Sequence, residues 1–495
     1  MISTDDRPAG VLPPPADHLK ANALGVGAIT FLVVAAAAPL TVMAGVAPLG
    51  VLVGGIGAPA GYLAAGIVLL VFAIGFMAMT RHTGGAGAFY SYVTLGLGRP
   101  AGMAAGILAV IAYNALQIGV YGLLGQQIHD AVEQFTGLDV PWWLLAFAAM
   151  GLVWLVGRRG IDVGARLLGV LLIAETAILA LLVGAVVVRG GAAGLSGASF
   201  TPAAMFDPSI VGVLAFAFAA FMGFESTALY RPEARRPERT IPRATYLSVA
   251  FMGLFYCLVV WAFIQAFDSA ELVAAAQTDP ASMFFVAIER FVGPWAADVM
   301  YFLIITSVLA SQIAFHNAIT RYSFNLARDG LLPAALAHTH PRFGSPSTAG
   351  AWQTGLAAVV IGGCALVGAD PYLDVLLKVN TPGVVGIIAL LALTSAAVVA
   401  YFVVRRRTVR ATGTIAIATL ATVLLTVVLV VLVANINLLT NATPATDALL
   451  VGVVPAVFGA GLLGAAWLRR NRPGVYARIG AEHAEDGPTP SERAR

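Results

Sequence analysis

Charge is what this chain of 495 residues has least of. Asp, Glu, Lys and Arg make up 11% of it, against 59% apolar residues, and the mean hydropathy is +0.88. Soluble globular proteins carry about a quarter charged residues, so water is excluded as the main solvent. Cysteine is scarce too. Cys257 and Cys364 each lie inside an apolar run, which excludes a disulfide framework and suits buried packing. His338 and His340 have a metal-like spacing, but no third ligand is near them and zinc needs three or four. No metal site follows. There is no P-loop, no G-x-S-x-G and no H-E-x-x-H. Transport or chemistry driven by ATP would need a separate subunit, and no cofactor is implied. The net charge of +3 gives no reason to expect nucleic acid.

What the sequence has in abundance is long oily runs. Stretches of about 20 apolar residues recur along it, each long enough to cross roughly 30 Å of hydrocarbon. The spacing predicts an all-α polytopic membrane protein with twelve spans at 24–50, 60–80, 100–127, 141–157, 164–188, 209–230, 243–267, 295–326, 347–367, 376–403, 411–434 and 447–468. An even count puts both tails on one side. Of the 28 Lys and Arg, all but Arg189, Arg290 and Lys378 then fall on that same side. The positive-inside rule makes it the cytoplasm. The opposite loop 128–140 agrees, since it carries His129, Asp130, Glu133 and Asp139 but no Lys or Arg. The start, MISTDDRPAGVLPPPADHLK, lacks the basic beginning, apolar core and small-residue cleavage site of a signal peptide. Residues 1–23 and 469–495 read as loose cytosolic tails.

Two spans carry residues that greasy helices avoid. Pro39 sits in the middle of the first, after Ala35–Ala38. Proline lacks an N–H and clashes with the preceding turn, so it kinks or opens the helix. Lipid cannot solvate the groups set free, which only protein or a watery cavity can cover. The sixth span reads AFMGFES over 220–226. Gly223 supplies flexibility, and Glu225 is an ionisable group where such groups mark function by default. Breaks in the first and sixth of twelve spans suggest two five-helix units of opposite orientation, 24–188 and 209–403, followed by helices eleven and twelve at 411–468. No residue-by-residue self-similarity joins the halves, so the repeat rests on the positions of the breaks. Half-helix N-termini favour an anion and unwound carbonyls a cation, a pair of poles that fits a free amino acid.

Three segments carry a resemblance. GFESTALYRPEARRPERTIPRA (223–244), HNAITRYSFNLARDGLLPAAL (316–336) and TGGAGAFYSYVTLGLGRPAG (83–102) resemble, in the same order, signature stretches of the amino acid–polyamine–organocation permeases. The resemblance extends over residues 20–468. It implies a five-plus-five inverted-repeat core with discontinuous helices 1 and 6, two further helices, and alternating access around a central site. It also implies uptake or exchange of amino acids or related amines. Many relatives bind the substrate carboxylate on a Gly-rich segment of helix 1. The matching residues here are Ala37, Ala38, Pro39, Leu40 and Thr41, without the glycines, although any residue but proline still offers an N–H.

By the same resemblance, Phe221, Met222, Gly223 and Phe224 form the unwound part of helix 6, with carbonyls toward the substrate amine. Phe218 and Phe221 line a side-chain pocket or are ordinary core aromatics. Tyr113, Asn114 and Gln117 put polar groups on helix 3, where the family has a cavity wall. Asn380, Thr381 and Pro382 interrupt the start of helix 10. No aspartate or lysine appears at the implied substrate positions, which favours a neutral amino acid over a polyamine. Glu225 reads as a gate or proton-responsive group, or as a carboxyl that caps freed N–H groups. Glu175 is the one charged residue in the apolar stretch of helix 5, near where some proton-driven relatives place a lysine. It reads as the coupling site, or as a carboxyl held for good by Ser307, Ser311 or a backbone carbonyl. His316 relays protons or merely bonds a neighbouring helix. The cluster RPEARRPERTIPR reads as a solvated inner loop against lipid headgroups.

The resulting expectation is a secondary transporter in the cytoplasmic membrane that imports a neutral amino acid with a proton. The alternative is an amino acid or amine exchanger without ion coupling. A polytopic enzyme would want His, Asp or Arg clustered at one membrane face, and a channel a continuous polar stripe. Neither pattern is present. Binding without transport, as in a sensor, is compatible with the same residues.

Overall fold

The computed structural model describes residues 24–80, 88–159, 161–278, 282–341, 343–405 and 412–480. The expected tail 1–23, the glycines of 83–87, and Arg81, Arg342, Arg406, Arg407 and Arg410 lie outside them. The described chain is nearly all helix. Its one backbone pairing of strand type is an isolated parallel bridge between Leu24 and Ala234. Among the described residues, eleven helical segments are long and apolar enough to cross a membrane. The fourth expected span, Trp142–Arg158, has 17 residues. At 1.5 Å per residue it is about 26 Å long, slightly under the usual hydrocarbon thickness.

The first span is three helices rather than one: α1 (Val26–Ala37), α2 (Pro39–Gly45) and α3 (Ala47–Gly54). The second is α4 (Ala58–Thr80), and a short α5 (Ala88–Leu97) leads into α6 (Arg99–Thr136), the third. Residues 128–136, expected in a loop, continue α6 until Gly137 closes it in a left-handed turn. Helices α7 (Trp142–Arg158) and α8 (Ile161–Arg189) stand where the fourth and fifth spans were expected. After the single-turn α9 (Pro202–Met205), the sixth span begins as α10 (Ile210–Ala220) and resumes, past a turn, as a ten-residue three-ten helix, Phe224–Glu233.

Helix α11 (Pro237–Gln265) is the seventh span. Two short helices follow, α12 (Ser269–Thr278) and α13 (Met283–Phe291). Arg290 ties them by pairing with both oxygens of Glu271, and its guanidinium holds that carboxyl below the usual carboxylate range. The eighth and ninth spans are α14 (Pro294–Arg328) and α15 (Ser347–Leu366). The tenth opens as a π-helical stretch, Pro371–Val379, and continues as α16 (Thr381–Arg405). Helices α17 (Thr412–Ala434), α18 (Asn437–Thr440) and α19 (Pro444–Asn471) follow, and α20 (Pro473–Arg478) ends the described chain.

The segment just after Arg469, expected to be loose, is therefore ordered as far as Gly480. Ile479 is buried and the Gly480 N–H donates to the Tyr90 hydroxyl at 2.6 Å. The apolar side chains at this end (Met103, Leu326, Leu468 and Ile479) form their own small core, which covers surface the polar composition of the tail did not announce.

Candidate functional site

The site is built where the two interrupted spans touch. Between α1 and α2, Ala38 takes a left-handed conformation with φ 46° and ψ 73°, at a cost of about 1–2 kcal/mol for a non-glycine residue. Pro39 forces it, because proline can open a helix at its first position but cannot continue one. Several of the freed polar groups find partners, as a dry interior requires. The Ala38 N–H donates to the Val34 and Ala35 carbonyls, both at 3.1 Å. The Ala36 carbonyl accepts from the Ser311 hydroxyl of α14 at 2.7 Å. The Leu40 N–H reaches Glu175 Oε2 of α8 at 3.4 Å. Thr41 donates to the Ser307 hydroxyl at 3.0 Å. The second carboxylate oxygen, Oε1, is buried without a partner.

The sixth span breaks at Gly223, whose φ of 108° is a conformation open to glycine and costly for other residues. A Cβ there would lie 3.1 Å from the Ala36 Cβ, so the two breaks are in direct contact. Glu225 folds back and accepts from the Gly223 N–H at 3.1 Å through Oε2, and the Tyr113 hydroxyl of α6 donates to its Oε1. The Gly223 carbonyl accepts from the Ser226 hydroxyl at 2.5 Å.

Beside this contact lies a cavity of about 90 Å³. Ala36, Ala37, Ala38 and Thr41 form one wall, and Ala219, Ala220 and Met222 another. Ser311 and Phe315 come from α14, and Leu376, Leu377, Asn380 and Val384 from the tenth span. None of the lining residues is charged. On one side four apolar side chains (Leu123, Phe216, Leu377 and Leu439) separate it from a much wider vestibule of about 950 Å³, and all four line both spaces. On the other side the closure is layered. Tyr113 packs on Phe315 and Tyr322, with ring centroids at 6.1 and 5.6 Å. Beyond it, buried Arg321 pairs with Glu233 at 3.1 Å and lies over Tyr230. Backbone bonds from Leu24 N–H to the Glu233 carbonyl (2.9 Å) and from Arg235 N–H to the Leu24 carbonyl (2.7 Å) complete it.

Of the residues the sequence singled out, Ala37, Ala38, Thr41, Met222 and Ser311 line the cavity. Pro39 and Leu40 start α2 behind it. Gly223 is the break itself, Glu225 and Tyr113 lie beneath the cavity floor, and Glu175 and Ser307 stand behind the first break. Phe218 is buried elsewhere. Phe221 packs edge-on against Tyr256 and Phe224 against Phe72, so both rings point away from the cavity. His316 is also remote. Its ring is wedged against α7 and α15 where Gly157 and Gly350 leave room, and its Nδ1 has no partner. The sequence reading missed Phe216, Phe315, Leu376 and Leu377. It noted Asn380 only as an interruption, although an Asn-Thr-Pro triplet in an apolar run was signal enough to look there.

Several known proteins are similar to this chain in sequence. The low-affinity putrescine importer PlaP of Escherichia coli K12 is 25% identical over 299 residues, which is 58% of this chain and 63% of PlaP. The L-lysine transport protein of Corynebacterium glutamicum is 25% identical over 314 residues, 61% of this chain and 59% of that protein. The lysine-specific permease LysP of Lactococcus lactis is 33% identical over 135 residues, 26% of each chain. The matched region spans less than two thirds of each of these relatives. A family model described as amino acid permease matches residues 21–459, and this chain, with two broken spans meeting at a buried cavity, belongs to that family.

Proposed function

We propose that the protein is a secondary active transporter that moves a neutral amino acid across the cytoplasmic membrane by alternating access, with a proton as the coupling ion. The observation that carries this reading is the uncharged cavity at the meeting of two helix breaks, separated from a vestibule by four side chains and from the opposite face by several layers. That asymmetry suits one end state of a carrier whose site opens to each side in turn. Arg158, Arg235, Arg321 and Arg328 belong to the closed face, which supports a cytoplasmic assignment for it and for both tails. The reading includes twelve spans, with 24–188 and 209–403 as inverted five-helix units.

The relatives' names bring in putrescine and lysine. A second positive charge held in a low-dielectric cavity needs a carboxylate near it, and the lining offers none. This favours a neutral substrate. For coupling we assign Glu175, whose Oε1 has capacity to spare beside the first break. Glu225 holds the second break and, with Tyr113, closes the floor on the cytoplasmic side.

The test is uptake into liposomes containing the purified protein, with twenty amino acids, lysine and putrescine included, under a pH gradient, a sodium gradient or neither. Uptake of a neutral amino acid that rises with an inward proton gradient is expected. In Glu175→Gln the same substrate is taken up without that rise. Proton dependence unaltered in the variant removes Glu175 from the coupling step, and uptake only in exchange for preloaded substrate removes the symport reading.

A further inference from the structure

The cavity has an uneven supply of polar groups. Three polar side chains line it: Thr41, Ser311 and Asn380. Thr41 gives its hydrogen to Ser307 and Ser311 gives its own to the Ala36 carbonyl, so both hydroxyl protons are committed within the protein. At the sixth-span break, the Phe218, Ala219, Phe221 and Gly223 carbonyls each already accept a backbone N–H at 3.1–3.3 Å. Asn380 differs. Its amide oxygen is buried without a hydrogen-bond partner, and its amide nitrogen donates to no group among the described residues. A carboxamide has two donors and an acceptor with two lone pairs. Leaving such an acceptor unmet in an apolar interior costs about 1–3 kcal/mol.

The fold goes to some length to put this side chain there. The tenth span enters as a π-helical stretch capped by Asp370, whose carboxylate accepts from the Tyr372 and Leu373 N–H groups at 2.8 and 2.6 Å. Asn380 stands at the junction where that stretch gives way to α16. π-helical geometry is rare, and where it interrupts an α-helix it is frequently at a functional site. The junction is pressed against α6, where a Cβ on Gly119 would come within 2.7 Å of the Asn380 Cβ and 3.2 Å of its Cα. Only a glycine at 119 lets the tenth span approach closely enough for residue 380 to share a wall with the first-span break.

We infer that Asn380 is a specificity-determining substrate contact: its amide oxygen accepts a hydrogen bond from the ammonium group of the substrate, and its lack of charge excludes substrates with a second cationic centre. The inference rests on the transporter reading above and adds the residue that sets the charge class. A neutral amide satisfies one ammonium whose charge is balanced by the substrate's own carboxylate. It cannot compensate a second ammonium brought into the same apolar space, whereas an aspartate at the same position would.

The experiment compares the wild type with Asn380→Ala, Asn380→Asp and Asn380→Ser in liposomes. It measures KM and saturated rate for the best neutral amino acid and competition by lysine and putrescine. Asn380→Ala is expected to raise KM about tenfold, the loss of one hydrogen bond to a charged group, with the effect in KM rather than in the saturated rate. Asn380→Asp is expected to let lysine and putrescine compete at least tenfold more strongly, and Asn380→Ser to fall between wild type and Asn380→Ala in KM. Size-exclusion profiles in detergent show which variants are folded, and Asn380→Ser serves if the aspartate does not fold. Unchanged KM in Asn380→Ala with unchanged competition in Asn380→Asp overturns the inference and leaves the neutral-substrate reading standing. If the wild type instead prefers lysine or putrescine, that reading fails, and the same KM ratio, taken on the preferred amine, still decides whether Asn380 touches the substrate.

Discussion

The two breaks use the same chemistry in different ways. Each leaves backbone N–H groups without helical partners, and at each a buried glutamate takes one of them. At the sixth span the glutamate is local. Glu225 lies two residues from the Gly223 N–H it accepts, and its oxygens are engaged by that N–H and by Tyr113. At the first span the glutamate is remote in sequence. Glu175 comes from α8, reaches the Leu40 N–H at a long 3.4 Å, and keeps Oε1 free of any partner. A fully engaged carboxylate is a structural fastening, because any change in it strands several groups at once. A carboxylate with a vacant oxygen beside a strained turn can exchange a proton without dismantling its surroundings. On the proposed function, this contrast suits Glu225 to holding the core together and Glu175 to the coupling step.

The largest expected effect is at the glycine. Gly223→Val forces a β-branched residue into φ 108° and drives a Cβ toward Ala36. A loss of about 3 kcal/mol or more is expected, read as a collapse of thermal stability in detergent and of uptake. Next comes the comparison of the acids themselves. Glu225→Ala strands the Tyr113 hydroxyl and the Gly223 N–H, costing about 2–4 kcal/mol. Thermal melting is expected to show Glu225→Gln clearly more destabilised than Glu175→Gln. Equal losses in the two glutamine variants break the contrast. The smallest effect is at Ala38. Ala38→Gly relieves the left-handed strain but loosens the unfolded chain, and a net change within about 1 kcal/mol, toward stabilisation, is expected from melting curves. A loss larger than that means the left-handed turn is not what limits this break.

Much of this frame was legible in the residues. Pro39 and Gly223 announced the breaks because one lacks a donor and the other tolerates conformations its neighbours do not. Glu175 and Glu225 stood out because charge is rare in spans. Side-chain directions around the cavity were not legible. The resemblance puts Phe218 and Phe221 at a side-chain pocket or in the ordinary core, but the turn at 221–223 and the three-ten helix after it set the side-chain directions. Phe216 and Met222 face the cavity instead. The π-to-α junction at Asn380 depends on contact with Gly119, more than 250 positions earlier, and no local pattern encodes that meeting. Burial of Ile479 against α5 and α14 was hidden for the same reason.

The pairing of Leu24 with the 233–235 segment has a practical corollary. It stitches the start of the first span to the end of the sixth by two main-chain bonds. Any swing that uncovers the closed face has to peel this short seam apart. The amide protons of Leu24 and Arg235 are then shielded in one state and open to solvent deuterium in the other. Their exchange would count openings directly, a clock woven into the chain that needs no attached label.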